Sequence, residues 1–197
     1  MAVGLGRPRG FDMDEALDRA LQVFWRRGYE GASVAELTHA IGINPPSLYA
    51  AFGNKEGLFR KVLERYVAVR TKFWDDALAT PSPRDMVERL LHGTADFMTE
   101  ACNPPGCMLV RGTIACSDMA QDVHQELIGR RREGERRLCE RLMSAKAAGE
   151  LPDDLDPADF ARFVATVLEG MSIHAAGGAS RDDLHKIAAT AMRAWPV

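Results

Sequence analysis

The sequence predicts an all-α protein, and three observations predict it. Strand signals are nearly absent, with no sustained period-two alternation and no Asn-Gly or Asp-Gly hairpin turn. Apolar residues instead recur every three or four positions, the spacing that lines one face of a helix. These stretches open on capping residues and close on glycine. At 197 residues, 46% hydrophobic and 27% charged, the composition is that of a packed globular protein and not of a disordered one.

The elements follow in order. Over 13–27, Met13, Leu17, Ala20, Leu21 and Phe24 form one stripe, with Asp12 placed as the cap, Glu15 three residues on and Gly28 as the stop. Ser33 and Glu36 have the spacing of a capping box, in which hydroxyl and carboxylate each satisfy an orphan backbone N–H. They start a second helix that ends at Gly42. A third, short helix runs through Leu48, Ala51 and Phe52 behind two prolines. Asn44 and Pro45 precede it, and Pro46, with φ already set, starts its first turn. Lys55 opens the next helix. Ser82-Pro83 and Asp156-Pro157 each read as a cap followed by proline at the first helical position, where Asp85 and Asp159 also suit the helix dipole.

The segment 119–148 carries the run RRREGERR. The four-residue pairs Glu126–Arg130 and Glu133–Arg137, opposite a stripe of Val123, Leu127, Leu138 and Leu142, make it a solvated helix face and not a nucleic-acid patch. From Pro157 to Ala176, Phe160, Phe163, Val164, Val167, Leu168 and Met171 cover more than one stripe, so this helix is expected to be buried on two sides. Gly177-Gly178 stops it. Ser180 caps a last helix, 181–195, striped by Leu184, Ile187, Ala188, Ala191 and Trp195. The start and stop signals add to about nine helices.

Net charge is -3, but residues 1–72 hold eleven Lys/Arg against eight Asp/Glu, whereas the remainder holds fourteen against twenty. Only the first third suits a polyanion. No apolar run approaches membrane-spanning length and MAVGLGRPRG lacks a signal-peptide block, so a cytoplasmic protein without a membrane partner is expected. Four cysteines are too few for a disulfide framework. Cys102, Cys107, Cys116 and His124 match no structural zinc spacing, and neither a metal nor a cofactor is expected. His174 is read as a core or interface residue.

The interval 33–52 carries the functional signal. Two short helices joined by a tight turn at Gly42, with Val34, Leu37, Ile41, Ile43, Leu48 and Phe52 where they must pack, form a helix-turn-helix, covered on its apolar side by the helix at 13–27. In such units the N-terminal end of the second helix reaches base edges in the major groove of DNA. Pro45, Pro46 and Ala50 are expected against thymine methyls or sugars, and Ser47 and Asn44 as the polar readers, since no Arg or Gln is present for a bidentate base contact. Tyr49 and Lys55 are assigned to backbone phosphates, and Ser33, at the start of the second helix, is also counted among the DNA-binding residues. Arg7 and Arg9 are candidates for the neighbouring minor groove, a frayed terminus being the alternative.

The stretch VAELTHAIGINPPSLYAAFGNKEGLF strongly resembles the DNA-binding domain of the TetR family of transcriptional regulators: the Gly42-Ile43 turn, the Leu48-Tyr49 pair, Phe52 four residues after Leu48, and Lys55-Glu56 opening the next helix. The resemblance covers about residues 10–65. Thr38 and Ile41 depart from it, standing where the family tends to have alanine. It implies a DNA-binding domain, 1–65, and a divergent helical domain, 66–197, that binds a small effector and pairs with its twin through its last two helices. Phe160, Val164, Leu168, Leu184, Ile187, Ala191 and Trp195 are the expected dimer residues. The implied function is a homodimeric repressor of a palindromic double-stranded operator, released when an effector misaligns the two recognition helices.

Trp74, Phe97, Met98, Met108, Phe163, Val167 and Met171 are candidate effector-pocket residues, for which plain core packing is the alternative. Cys102 and Cys107 flank an Asn-Pro-Pro-Gly turn, and some repressors of the family resemble this in carrying a sensory cysteine near the same helix start. A small buried hydrophobe is the alternative for either thiol. No Gly-x-Ser-x-Gly, His-Glu-x-x-His, phosphate loop or dinucleotide fingerprint supports an enzyme. A helical interaction adaptor is the other rival; its contact with DNA would be absent or insensitive to salt.

Overall fold

The capping residues start most of the helices. The computed structural model describes residues 11–115 and 120–196. Among them are nine α-helices and no strand: α1 Met13–Gly31, α2 Val34–Ile41, α3 Pro45–Phe52, α4 Lys55–Leu78, α5 Pro83–Met98, α6 Met108–Ala115, α7 Gln121–Ala147, α8 Pro157–Ala176 and α9 Arg181–Ala191. Asp12, Ser33, Asn44, Asn54, Ser82, Asp156 and Ser180 each accept a backbone N–H of the first turn, satisfying donors that have no partner within the helix.

α1 packs on α2, on the first half of α4 and on α6, while α5 lies against α9, α4 and α8, and α7 against α8 and α6. One continuous apolar cluster runs from Ala16 and Phe24 through Leu48, Phe59, Leu90 and Leu127 to Leu184. The expected domain boundary at residue 65 falls inside α4, a single helix shared by both halves. Arg65, on that helix, forks onto Asp18 and Asp14 of α1 at 2.6–2.8 Å and locks the two together.

The regular part of α1 ends at Gly28 as expected, where the backbone leaves helical geometry (φ 72°, ψ 176°), and a further short turn to Gly31 follows the kink. Several other local expectations need correction. The capping box at Ser33 is half formed: Ser33 Oγ accepts the Glu36 N–H at 3.0 Å, but the Glu36 carboxylate turns to Arg27. α3 begins one residue early, with both prolines inside its first turn, because Asn44 has taken the cap position. On α7 the Glu126–Arg130 pair is present at 3.9 Å. Glu133 pairs instead with Arg136, freeing Arg137 to reach Asp75 of α4. α9 stops at Ala191 and a 3-10 turn, Met192–Ala194, completes the stretch. Within the subunit α8 is buried on one side only: Val164, Leu168 and Met171 are in the core, whereas Phe163 is 39% exposed and Ile173 54%.

Candidate nucleic-acid interface and the cavity behind it

Gly42 turns the chain between α2 and α3 with φ 82°, a left-handed conformation that a Cβ would strain, and its N–H caps the carbonyls of Thr38 and His39. Ile43 N–H also returns to Thr38 O at 3.0 Å. Arg19 of α1 holds the same corner by donating to Ile41 O at 3.3 Å. Thr38, a departure from the family pattern, is accommodated because its buried hydroxyl donates to Val34 O at 2.9 Å and to Ala35 O at 3.1 Å.

The far side of this corner is the tip of α3. Asn44 Oδ1 accepts the Ser47 N–H at 2.9 Å, so its carbonyl end is engaged in the cap and its amide NH2 is the group left for a base. Asn44, Pro45, Pro46, Tyr49 and Ala50 are exposed, Ser47 is half-buried, and Leu48 and Phe52 anchor the helix in the core. Tyr49 is 48% exposed on this face. Ser33 lies exposed at the start of α2. All the residues assigned to DNA that lie in the described segments therefore belong to α2, α3 and the start of α4. Arg7 and Arg9 fall outside the described residues.

Lys55 is half-buried at the first position of α4. Its ammonium sits 4.6 Å over the Tyr29 ring and donates to Glu30 O at 3.4 Å. Burial draws its pKa down, opposed by the Glu30 carboxylate.

Behind this face, α4, α5, α6, α7 and α8 enclose a cavity of about 40 Å³. Of the candidate pocket residues Trp74, Phe97 and Met98 line it, joined by Leu168, one of the expected dimer residues. Met108, Phe163, Val167 and Met171 do not line it; Met108 and Met171 are core, and Phe163 points outward from the subunit. Arg70, Arg131, Glu135 and Glu169 add a charged rim that no motif or periodicity marks. Arg131 meets Glu169 in a bidentate pair and Arg70 lies 4.6 Å over the Trp74 ring.

Cys107 also faces the cavity. It immediately precedes α6, is 3% exposed, and its Sγ accepts the Tyr66 hydroxyl at 3.2 Å. Burial pushes the Tyr66 phenol well above its usual range, so the phenol remains protonated and is the donor of the pair. Cys102, by contrast, lies exposed in the preceding loop, and Cys116 lies outside the described residues. Among the described residues no three His, Cys, Asp or Glu side chains converge as metal ligands, and no helix is long and apolar enough to cross a membrane. His174 is exposed near the end of α8.

The expected dimer residues divide into two groups. Val164, Leu168 and Leu184 are buried within the subunit, while Phe160, Ile187, Ala191 and Trp195 are half-buried on its outer side, where Phe160 and Trp195 pack edge to face at 5.3 Å.

Two family models match the chain. That of the tetR family of bacterial regulatory proteins covers residues 16–62, and that of a tetracyclin repressor-like C-terminal domain covers 83–195. The transcriptional repressor ComR of Escherichia coli K12 is 38% identical over 97% of this chain and 92% of its own length. BdcR of the same organism, also a transcriptional repressor, is 38% identical over 60% of each chain. Among solved structures, a cysteine mutant of the TetR-family regulator CifR, complexed with 26-base-pair double-strand operator DNA, superposes with a TM-score of 0.92 at 44% identity, covering 96% of this chain and all of the other. NemR of E. coli in its reduced form shares the fold, with a TM-score of 0.76 at 21% identity. The chain belongs to the tetR family of bacterial regulatory proteins, DNA-binding transcription regulators.

Proposed function

We propose that this protein is a homodimeric transcriptional repressor that binds a palindromic operator through α3 and is released from it by a small molecule entering the α4–α8 cavity. The observation that carries the reading is the tip of α3, where Asn44, Pro45, Pro46, Tyr49 and Ala50 stand exposed on a helix start pinned by its own cap. A tip fixed in advance loses little conformational freedom on docking. Two such tips enter successive major grooves, about one helical turn apart. Residues 1–65 bind DNA and 66–197 bind effector and partner, with α4 belonging to both.

The partner covers the outer face of α8 and α9: Phe163, Val167 and Ile173 on one, Ile187, Ala191 and Trp195 on the other. At about 40 Å³ the cavity holds no more than a water or two; ligand sites run to about 300–1,000 Å³. An effector therefore spreads the helices, and that displacement is what DNA binding opposes. Its apolar part lies against Trp74, Phe97 and Met98. A thiol-reactive effector ends at Cys107 in the same space. The protein works in the cytoplasm, where thiols stay reduced.

Selection of bound sequences from a random DNA pool, repeated in the presence of a metabolite panel, tests this. Recovery of a two-fold symmetric site whose binding one class of small molecule abolishes is expected. Recovery of no sequence at low salt contradicts it.

A further inference from the structure

The DNA-binding unit and the cavity share a buried hydrogen bond. Trp25, in the last regular turn of α1, is 2% exposed and donates its indole Nε1–H to the Gly106 carbonyl, 81 residues away, at 3.2 Å. Gly106 is the residue before Cys107. Its backbone has φ 88°, and an added Cβ would lie 2.8 Å from the Ser172 carbonyl of α8, so the direction of its C=O is dictated by the packing of the loop on α8. The Cys107 N–H is tied to the same helix through Ser172 Oγ at 2.8 Å.

The Trp25 ring also meets the residue that holds the thiol. It packs edge to face on Tyr66 at 4.8 Å and stacks on Phe97 at 5.9 Å. Tyr66 in turn donates to Cys107 Sγ and accepts the Met108 N–H at 3.3 Å. One side chain thus reports on two walls of the cavity. A second strut lies beside it: Arg111 of α6 donates to Arg26 O at 3.1 Å.

Three residues beyond Trp25, the chain breaks from helical geometry at Gly28. The residues on either side of the break seat both neighbours of the recognition helix. Tyr29 packs on Phe24 and Phe59 and carries the Lys55 ammonium, and Arg27 holds Glu36 in the first turn of α2. A displacement of Gly106 or Tyr66 is therefore delivered to a segment with a break next to it, and from there to the starts of α2 and α4.

We propose that Trp25 is the coupling residue, the side chain through which the state of the Cys107 cavity sets the position of the last turn of α1 and with it the seating of α2 and α3 on DNA. The proposal rests on the reading of α3 as the DNA contact. It does not depend on which effector acts. Because equilibrium coupling between two sites is reciprocal, operator binding must also act back on the cavity.

The test follows alkylation of Cys107 by iodoacetamide, in which the thiolate sulfur bonds to the methylene carbon and iodide leaves, by peptide mass spectrometry with and without saturating selected operator. Cys107 is 3% exposed, so at low reagent its alkylation rate reports the equilibrium population of an opened cavity; operator is expected to lower that rate about fivefold or more, the low end of usual allosteric coupling. Trp25→Phe keeps the ring and removes the donor; it is expected to keep its circular dichroism and its operator binding, and to bring the ratio of rates near one. An unchanged ratio in Trp25→Phe, or a ratio of one in the native protein, overturns the proposal. Failure of the native protein to bind any operator instead sinks the DNA-binding reading itself. Should Trp25→Phe not fold, the indole N–H resonances of 15N-tryptophan-labelled native protein decide, assigned with Trp74→Phe and Trp195→Phe. The Trp25 signal is expected to shift on operator binding and on Cys107 alkylation, and a Trp25 signal that neither event moves overturns the proposal.

Discussion

Asn44 joins the turn and the recognition helix with one side chain: its carbonyl oxygen caps Ser47, and the residue is exposed beside Pro45 and Pro46. Asn44→Ala removes the cap, and a loss of about 1 kcal/mol of unfolding free energy is expected in a denaturant titration. Tyr49 and Lys55 differ from it in being proposed as phosphate contacts and not as base readers. Tyr49→Phe and Lys55→Ala are expected to weaken operator and unrelated DNA about equally in fluorescence anisotropy. Lys55→Ala should also lower the salt slope by about one. A shifted sequence preference in either variant would refute the phosphate assignment. The local chemistry of these residues was legible in the sequence because cap, proline and glycine act on their immediate neighbours. Tyr66–Cys107 and Trp25–Gly106 were not, since those pairs are 41 and 81 residues apart and no periodicity connects them.

At the scale of elements, the starts of helices were legible more often than their ends. Starts are set by a side chain within three residues, as at Asp12, Ser82, Asp156 and Ser180. Ends depend on what the next turn meets: Gly28 breaks α1 where the sequence places the stop, but the extra turn to Gly31, with Tyr29 packed on Phe24 and Phe59, carries no local signal. Likewise Glu133 chooses Arg136 over Arg137 because Asp75 of α4 competes for Arg137, a partner that a helical wheel of α7 alone does not contain. The turn between α2 and α3 is the element most sensitive to a single methyl group. Gly42→Ala imposes a left-handed conformation on a residue with a Cβ and is expected to cost about 1–2 kcal/mol, seen as a lowered unfolding midpoint. Unchanged stability would show that the turn can be made another way.

For the whole molecule, the question is which apolar surface belongs to the subunit and which to the dimer. A stripe in sequence marks burial without saying against what: Val164, Leu168 and Leu184 fit a partner contact by spacing, and they fill the subunit's own core. The outer face of α8 makes the distinction testable. Phe163→Glu with Ile173→Asp is expected to yield a folded monomer by analytical ultracentrifugation with native helicity. Leu184→Ala, a core truncation, is expected to destabilise by about 2–5 kcal/mol. Loss of fold in the first variant, or a stable monomer in the second, would reverse the assignment.

The central claim, that the capped tip of α3 carried twice in a symmetric assembly docks into DNA grooves, is tested most directly by titrating the protein onto its selected operator over a range of salt concentrations. Expected is binding of two subunits per two-fold site, with an affinity that falls steeply and log-linearly with salt as phosphate counterions are released. Binding that ignores salt, or a single subunit per site, would contradict it.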